Sequence, residues 1–94
     1  MKNASDQYFD GITKSGFTFR VEKSALDDYE LLEELTALDQ GHLERVAPVI
    51  RKLLGPAQTE GLKEHCRNAQ GRVTITAMKQ ELEEIFKGCS AAKN

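Results

Sequence analysis

A mostly α (α+β) fold, with an N-terminal β-hairpin packed on about four short helices, is what this sequence predicts. Three observations carry that expectation. Phe17 to Glu22 alternates apolar and polar residues, the period of a half-buried strand. Later stretches repeat apolar residues at helical spacing. Glycines, prolines and Asp or Asn residues punctuate the intervals where the chain must reverse.

The hairpin comes first. Tyr8-Phe9-Asp10-Gly11-Ile12-Thr13 reads as one strand, weakened by Gly11, and Phe17 to Glu22 as its partner. Phe17, Phe19 and Val21 point one way; Thr18, Arg20 and Glu22 point the other. Lys14-Ser15-Gly16 suits a short connecting loop. A two-stranded hairpin is marginal in water, so its aromatic face must lie on helices or on another chain.

The first helix has two plausible starts, Ser24 and Asp27. Asp27 is favoured because Asp27 and Glu30 have capping-box spacing, with Leu26 and Leu31 placed as a staple. Leu31, Leu35 and Leu38 line one face, with Leu32 beside them. Six acids and no base stand between Asp27 and Asp39. Those of the opening turns favour the positive end of the helix dipole. Asp39-Gln40-Gly41 ends the helix.

The second helix has the clearest repeat: Leu43, Val46, Ala47, Ile50, Leu53 and Leu54. Pro48 is tolerated only in a first turn, so the regular part begins near Arg45, or the helix kinks there. Val49 falls at the edge of the stripe. Gly55-Pro56 reads as a stop followed by a start. A weak third helix, Pro56 to about Cys66, is anchored by Leu62 and Cys66. Asn68 to Gly71 is a turn. The fourth helix is capped by Thr74, with Val73 and Met78 as its staple. Ile75, Met78, Leu82, Ile85 and Phe86 form its stripe, and Gly88 closes it. Leu31, Leu35, Ile50, Leu53, Leu82 and Phe86 are the expected core.

The 94 residues are expected to form a single domain, 1–94, with disordered polar tails at 1–7 and 88–94. No apolar run is long enough to span a membrane, and the first residues lack the apolar core of a signal peptide, so a cytoplasmic location is expected. With a net charge of −2 and no large basic patch, nucleic acid is not an expected partner. Cys66 and Cys89 have no metal-ligand spacing, and neither a structural disulfide nor a cofactor is expected.

Tests for chemistry are negative at this level. Gly71-Arg72-Val73-Thr74 ahead of an amphipathic helix suggests half of a calcium loop. Aligning Gly71 with the loop glycine puts Cys66 first and Ala77 twelfth, where an Asp and a bidentate Glu are needed. His42 and His65 lack convergent partners, and Glu33-Glu34 and Glu83-Glu84 read as solvated helix faces. The chain therefore makes no case for an enzyme. Four short helices and a hairpin cannot hide every apolar face in so small a core. Surplus apolar surface along the second or fourth helix is the expected binding surface. Val46, Val49 and Ile50, with Ile85 and Phe86, are the candidate partner contacts; each also reads as core. Val49, at the stripe edge, is the residue expected to face outward.

Three segments together resemble a known family. They are Phe17 to Glu22 with Leu26-Asp27-Asp28-Tyr29-Glu30-Leu31-Leu32; Val49-Ile50-Arg51-Lys52-Leu53-Leu54-Gly55; and Leu62-Lys63-Glu64-His65 with Gly71-Arg72-Val73 and Glu83-Glu84-Ile85-Phe86. In this order they are similar to the small tail assembly chaperones of long-tailed phages and prophages of Gram-positive bacteria. The resemblance runs from about Phe17 to Phe86 and rests on helix caps and stripes rather than on catalytic residues. It implies action in the host cytoplasm during virion assembly, absence from the mature virion, and binding to the tape measure protein, a long helical chain that must stay soluble until the tail tube forms around it. The tail tube protein and a homo-oligomer are further partners it brings into view. A different class, a small acidic helical adaptor or regulator with a protein partner, is the alternative.

Overall fold

A computed structural model describes residues 7–92. β1 (Tyr8–Ile12) and β2 (Thr18–Glu22) form an antiparallel hairpin in which Asp10 pairs with Arg20. A 3-10 turn over Lys23–Asp27 leads into α1 (Tyr29–Asp39). A second, over Leu43–Arg45, leads into α2 (Val46–Cys66), and α3 (Ile75–Ala92) completes the chain.

The alternation of β2 appears as read. Phe19 and Val21 are buried and Phe17 is half-buried, while Thr18, Arg20 and Glu22 face out. The loop is closed by Gly16 N donating to Thr13 O and Thr13 N donating to Phe17 O, each at 2.9 Å. On the outer side of β2, the Gln58 side-chain amide bonds both backbone groups of Arg20. Arg20 N donates to Gln58 Oε1 at 2.8 Å, and Gln58 Nε2 donates to Arg20 O at 2.6 Å.

The first helix starts one residue later than expected. Asp28, not Asp27 or Ser24, is the cap: its Oδ1 accepts from Glu30 N at 2.8 Å and Leu31 N at 3.3 Å. The Asp27–Glu30 spacing is that of a capping box, but the 3-10 turn takes Asp27 and leaves Asp28 in the extended conformation a cap requires. Thr74 caps α3 as anticipated, its Oγ1 accepting from Ala77 N.

Three helices, rather than about four, follow the hairpin among the described residues. The stretches read as second and third helices form one element, α2. Gly55, at φ 81° and ψ 167°, interrupts it just before Pro56. Only glycine takes that backbone conformation without strain. Regular α2 begins at Val46, so Pro48 lies in its first turn.

The fourth predicted helix runs longer than its punctuation suggested. α3 continues through Gly88 to Ala92, so Gly88 does not end it. The reason lies in packing. Gly88 faces the ring of Phe19 so closely that a Cβ there would stand 2.8 Å from Phe19 Cζ. The expected tail at 1–7 falls, apart from Gln7, outside the described residues, as do 93 and 94.

One core joins every element. Phe9, Phe19 and Val21 from the hairpin meet Leu31 from α1, then Val49, Ile50, Leu53, Leu54 and Leu62 from α2, and Leu82, Ile85 and Cys89 from α3. Of the six residues expected there, Leu31, Ile50, Leu53 and Leu82 are buried. Leu35 and Phe86 are only half-buried, because α1 packs chiefly on α2 while α3 packs on β1 and α2. That arrangement leaves a cleft where Leu35 and Phe86 meet solvent.

Candidate functional site

The cleft is the first candidate site. Leu35 and Leu38 of α1 form one wall, and Leu82 and Phe86 of α3 the other, around a hollow of about 280 Å³. Lys79 and Glu83 carry it into a second hollow beside Leu43 and Ile75. These last two residues open in turn onto a third, about 290 Å³ in volume, floored by Val46 and Ile50 and flanked by Met78. The three hollows share lining residues and follow α3 from Ile75 to Phe86. Eleven residue steps at ~1.5 Å give roughly 16 Å, about three helical turns. Leu43 is 48% exposed and Ile75 59% exposed, so this end of the groove shows large apolar side chains to water.

Charge along the groove is uneven. At the Ile75 end stand Arg51 and Lys63, with Glu44. Arg45 lies 4.0 Å from Glu44 and closer to Glu34, at 3.2 Å. At the Phe86 end stand Asp39 and Glu83, with Lys79. Arg51, Asp39 and Glu83 are exposed, and none forms an ion pair among the described residues.

The five partner-contact candidates divide. Val46 and Ile50 lie in the groove floor, and Phe86 lines its far end. Val49 and Ile85 are fully buried in the core away from these hollows. Val49 therefore sits at no exposed stripe edge: the hairpin and the other helices cover that flank of α2. Sequence reasoning missed Leu43 and Ile75 as surface contacts because each belongs to an apolar stripe that reads as interior.

A second constellation was not expected. Ser15 Oγ, in the hairpin loop, donates to Glu81 Oε2 on α3 at 2.7 Å and lies 2.9 Å from His65 Nε2 near the end of α2. Thr13 Oγ1, 3.2 Å from Ser15 Oγ, accepts from Phe17 N. Ser15 has a single hydroxyl proton, and the bond to Glu81 uses it. His65 must then donate from Nε2. A serine nucleophile needs the opposite polarity, with the imidazole accepting the hydroxyl proton. The arrangement acts as a clasp: it ties the loop to two helices, and Lys14 adds an ion pair to Glu84 at 3.9 Å. Glu81 is 7% exposed, and its Oε1 is buried without a hydrogen-bond partner among the described residues.

Burial pushes both cysteine thiols above their ordinary range, with the nearby charge of Glu81 adding to the effect at Cys66. Neither is set up as a nucleophile. Among the described residues no group of three or more His, Cys, Asp or Glu is placed to hold a metal ion. No helix there is long and apolar enough to cross a membrane. Comparison with known protein families, with curated proteins and with solved structures finds no match to this chain.

Proposed function

We propose that this chain is a helix-binding chaperone, and that its partner is the tape measure protein of a long-tailed phage or prophage. One observation carries the binding half of that reading. A groove about three helical turns long runs beside α3, apolar at its Ile75 end and mixed toward Phe86, bordered by half-buried and exposed leucines, isoleucine and phenylalanine. A folded chain gains nothing in stability from Leu43 and Ile75 in water, whereas a helix laid along the groove would cover both. The identity of the partner rests on the resemblance of the caps and stripes to tail assembly chaperones. A long helical chain with apolar stripes aggregates when naked, and small partners that cover the stripes keep it soluble. In this reading the chain acts in the host cytoplasm and leaves before the virion is complete.

The deciding experiment is co-expression with the tape measure protein of the same genome. The expected result is a soluble complex that survives size exclusion. A tape measure protein equally soluble with and without this chain, and no complex, sinks the reading. The alternative, an acidic adaptor, is favoured by the exposed face of α1, where Glu30 and Glu33 flank the exposed Tyr29 and Leu32. In that case Leu32→Lys disrupts partner binding and Leu43→Asp does not.

A further inference from the structure

We infer that the groove is polarised along its length and takes one amphipathic helix antiparallel to α3, with its C-terminal turn, carrying carboxylates, at Arg51 and Lys63. The inference rests on the helix-binding reading above and adds the partner's direction and charge pattern.

At the Ile75 end two bases, Arg51 and Lys63, stand against one acid, Glu44, which has Arg45 4.0 Å away. Lys63 shares itself with Glu60 at 3.2 Å, while Arg51 is exposed and forms no ion pair among the described residues. At the Phe86 end two acids without an ion pair among the described residues, Asp39 and Glu83, stand against Lys79. A helix carries partial positive charge at its N-terminus and partial negative charge at its C-terminus. Its N-terminus is therefore favoured beside Asp39 and Glu83 and its C-terminus beside Arg51. Because α3 itself runs from Ile75 towards Phe86, the bound helix runs the other way. Basic side chains in its first turn and acidic ones in its last add to the preference. Charges at the rim of an apolar contact set register and orientation more than gross affinity.

The same pattern disfavours a second copy of this chain as the occupant. Its most exposed apolar helical surface, Tyr29 and Leu32 on α1, is flanked by Glu33 and by Glu30, which Lys52 engages at 3.4 Å, and α1 itself carries no lysine or arginine from Tyr29 to Asp39. Docked in the groove, α1 of a second copy would offer no base to Asp39 and Glu83.

The test uses the full chain and a synthetic 15-residue leucine-striped peptide with two lysines in its first turn, two glutamates in its last, and a nitroxide at its N-terminus. A composition-matched peptide with the stripe scrambled is the control. The striped peptide is expected to bind and to broaden the amide signals of Glu83 and Phe86 while sparing Ile75. The double variant Arg51→Glu with Lys63→Glu should bind it about tenfold more weakly at low salt, with an unchanged melting temperature. Broadening at Ile75 instead, or equal affinity for the double variant, overturns the orientation and leaves helix docking standing. Absence of binding, equal binding of the scrambled peptide, or a chain dimer that excludes the peptide and dissolves on Leu43→Glu overturns both.

Discussion

Gly88 of α3 and Phe19 of β2 touch so closely that no side chain fits between them. A Cβ on Gly88 would lie 2.8 Å from Phe19 Cζ, and a Cβ on Gly11, the cross-strand partner of Phe19, would lie 2.6 Å from the same atom. The ring lies close against two backbones, one in β1 and one in α3. Two glycines that look like helix and strand breakers are there for their missing side chains.

The first prediction follows from that contact. Gly88→Ala gains helix propensity, about 1 kcal/mol, but drives a methyl into a buried ring, which costs roughly 1–3 kcal/mol. The steric term should win, giving a lower melting temperature. Gly61→Ala is the control: it lies in α2, and the nearest atom to its Cβ is 4.0 Å away. That variant should be more stable by up to about 1 kcal/mol. Denaturant titration of both separates propensity from packing, and a stabilised Gly88→Ala would mean the ring moves aside freely.

The second concerns surface against core. Val49 is 0% exposed, so Val49→Asp should fail to fold rather than act as a clean binding variant. Leu43→Asp and Ile75→Asp should change unfolding free energy by less than about 0.5 kcal/mol and abolish capture of the helical partner. Circular dichroism melts with a pull-down check both halves. A folded Val49→Asp, or a binding-competent Leu43→Asp, contradicts the placement of the groove.

A third test addresses the clasp. Ser15→Ala removes the donor to Glu81 and leaves a buried carboxyl with neither oxygen bonded, a loss of about 1–3 kcal/mol. Glu81→Met should recover most of that loss in the Ser15→Ala background, because replacing a buried polar group by an apolar one of similar volume removes the unmet demand. Additive effects in this double-mutant cycle would show that Ser15 and Glu81 do not act together.

The fourth uses the thiols. Burial raises both Cys66 and Cys89. Their folded values lie above their unfolded ones, so the stability they contribute is fully present below pH ~8.5 and is lost as pH rises through the folded values. Melting temperature should therefore fall on the alkaline side of that point. At pH 8, iodoacetamide should modify buried Cys89 far more slowly than half-buried Cys66. Equal labelling rates in the native protein would place the end of α3 in an open state.

The hairpin, the Gly55-Pro56 break and the Thr74 cap were legible because each depends on local chemistry: alternation, a left-handed backbone, a hydroxyl three residues from an amide. The start of α1 was missed by one residue because Asp27 and Asp28 are both capable caps, and the 3-10 turn that decides between them leaves no sequence signature. The length of α3 was missed because a glycine inside a helix is unfavourable until a ring from elsewhere in the chain occupies its face. The groove was half legible. Periodicity identifies the apolar stripe of α2 but not which flank other elements cover, so Val49 was assigned outward and Leu43 inward, the reverse of their burial.

Gln58 has a consequence for what kind of partner this molecule admits. Its side-chain amide occupies the outward N–H and C=O of Arg20, at the middle of the five-residue strand β2. An incoming strand needs those two groups to begin zipping along that border. With one carboxamide the molecule closes the border to amyloid-like stacking and to extended peptides alike, and leaves recognition on that side to side-chain shape rather than main-chain templating.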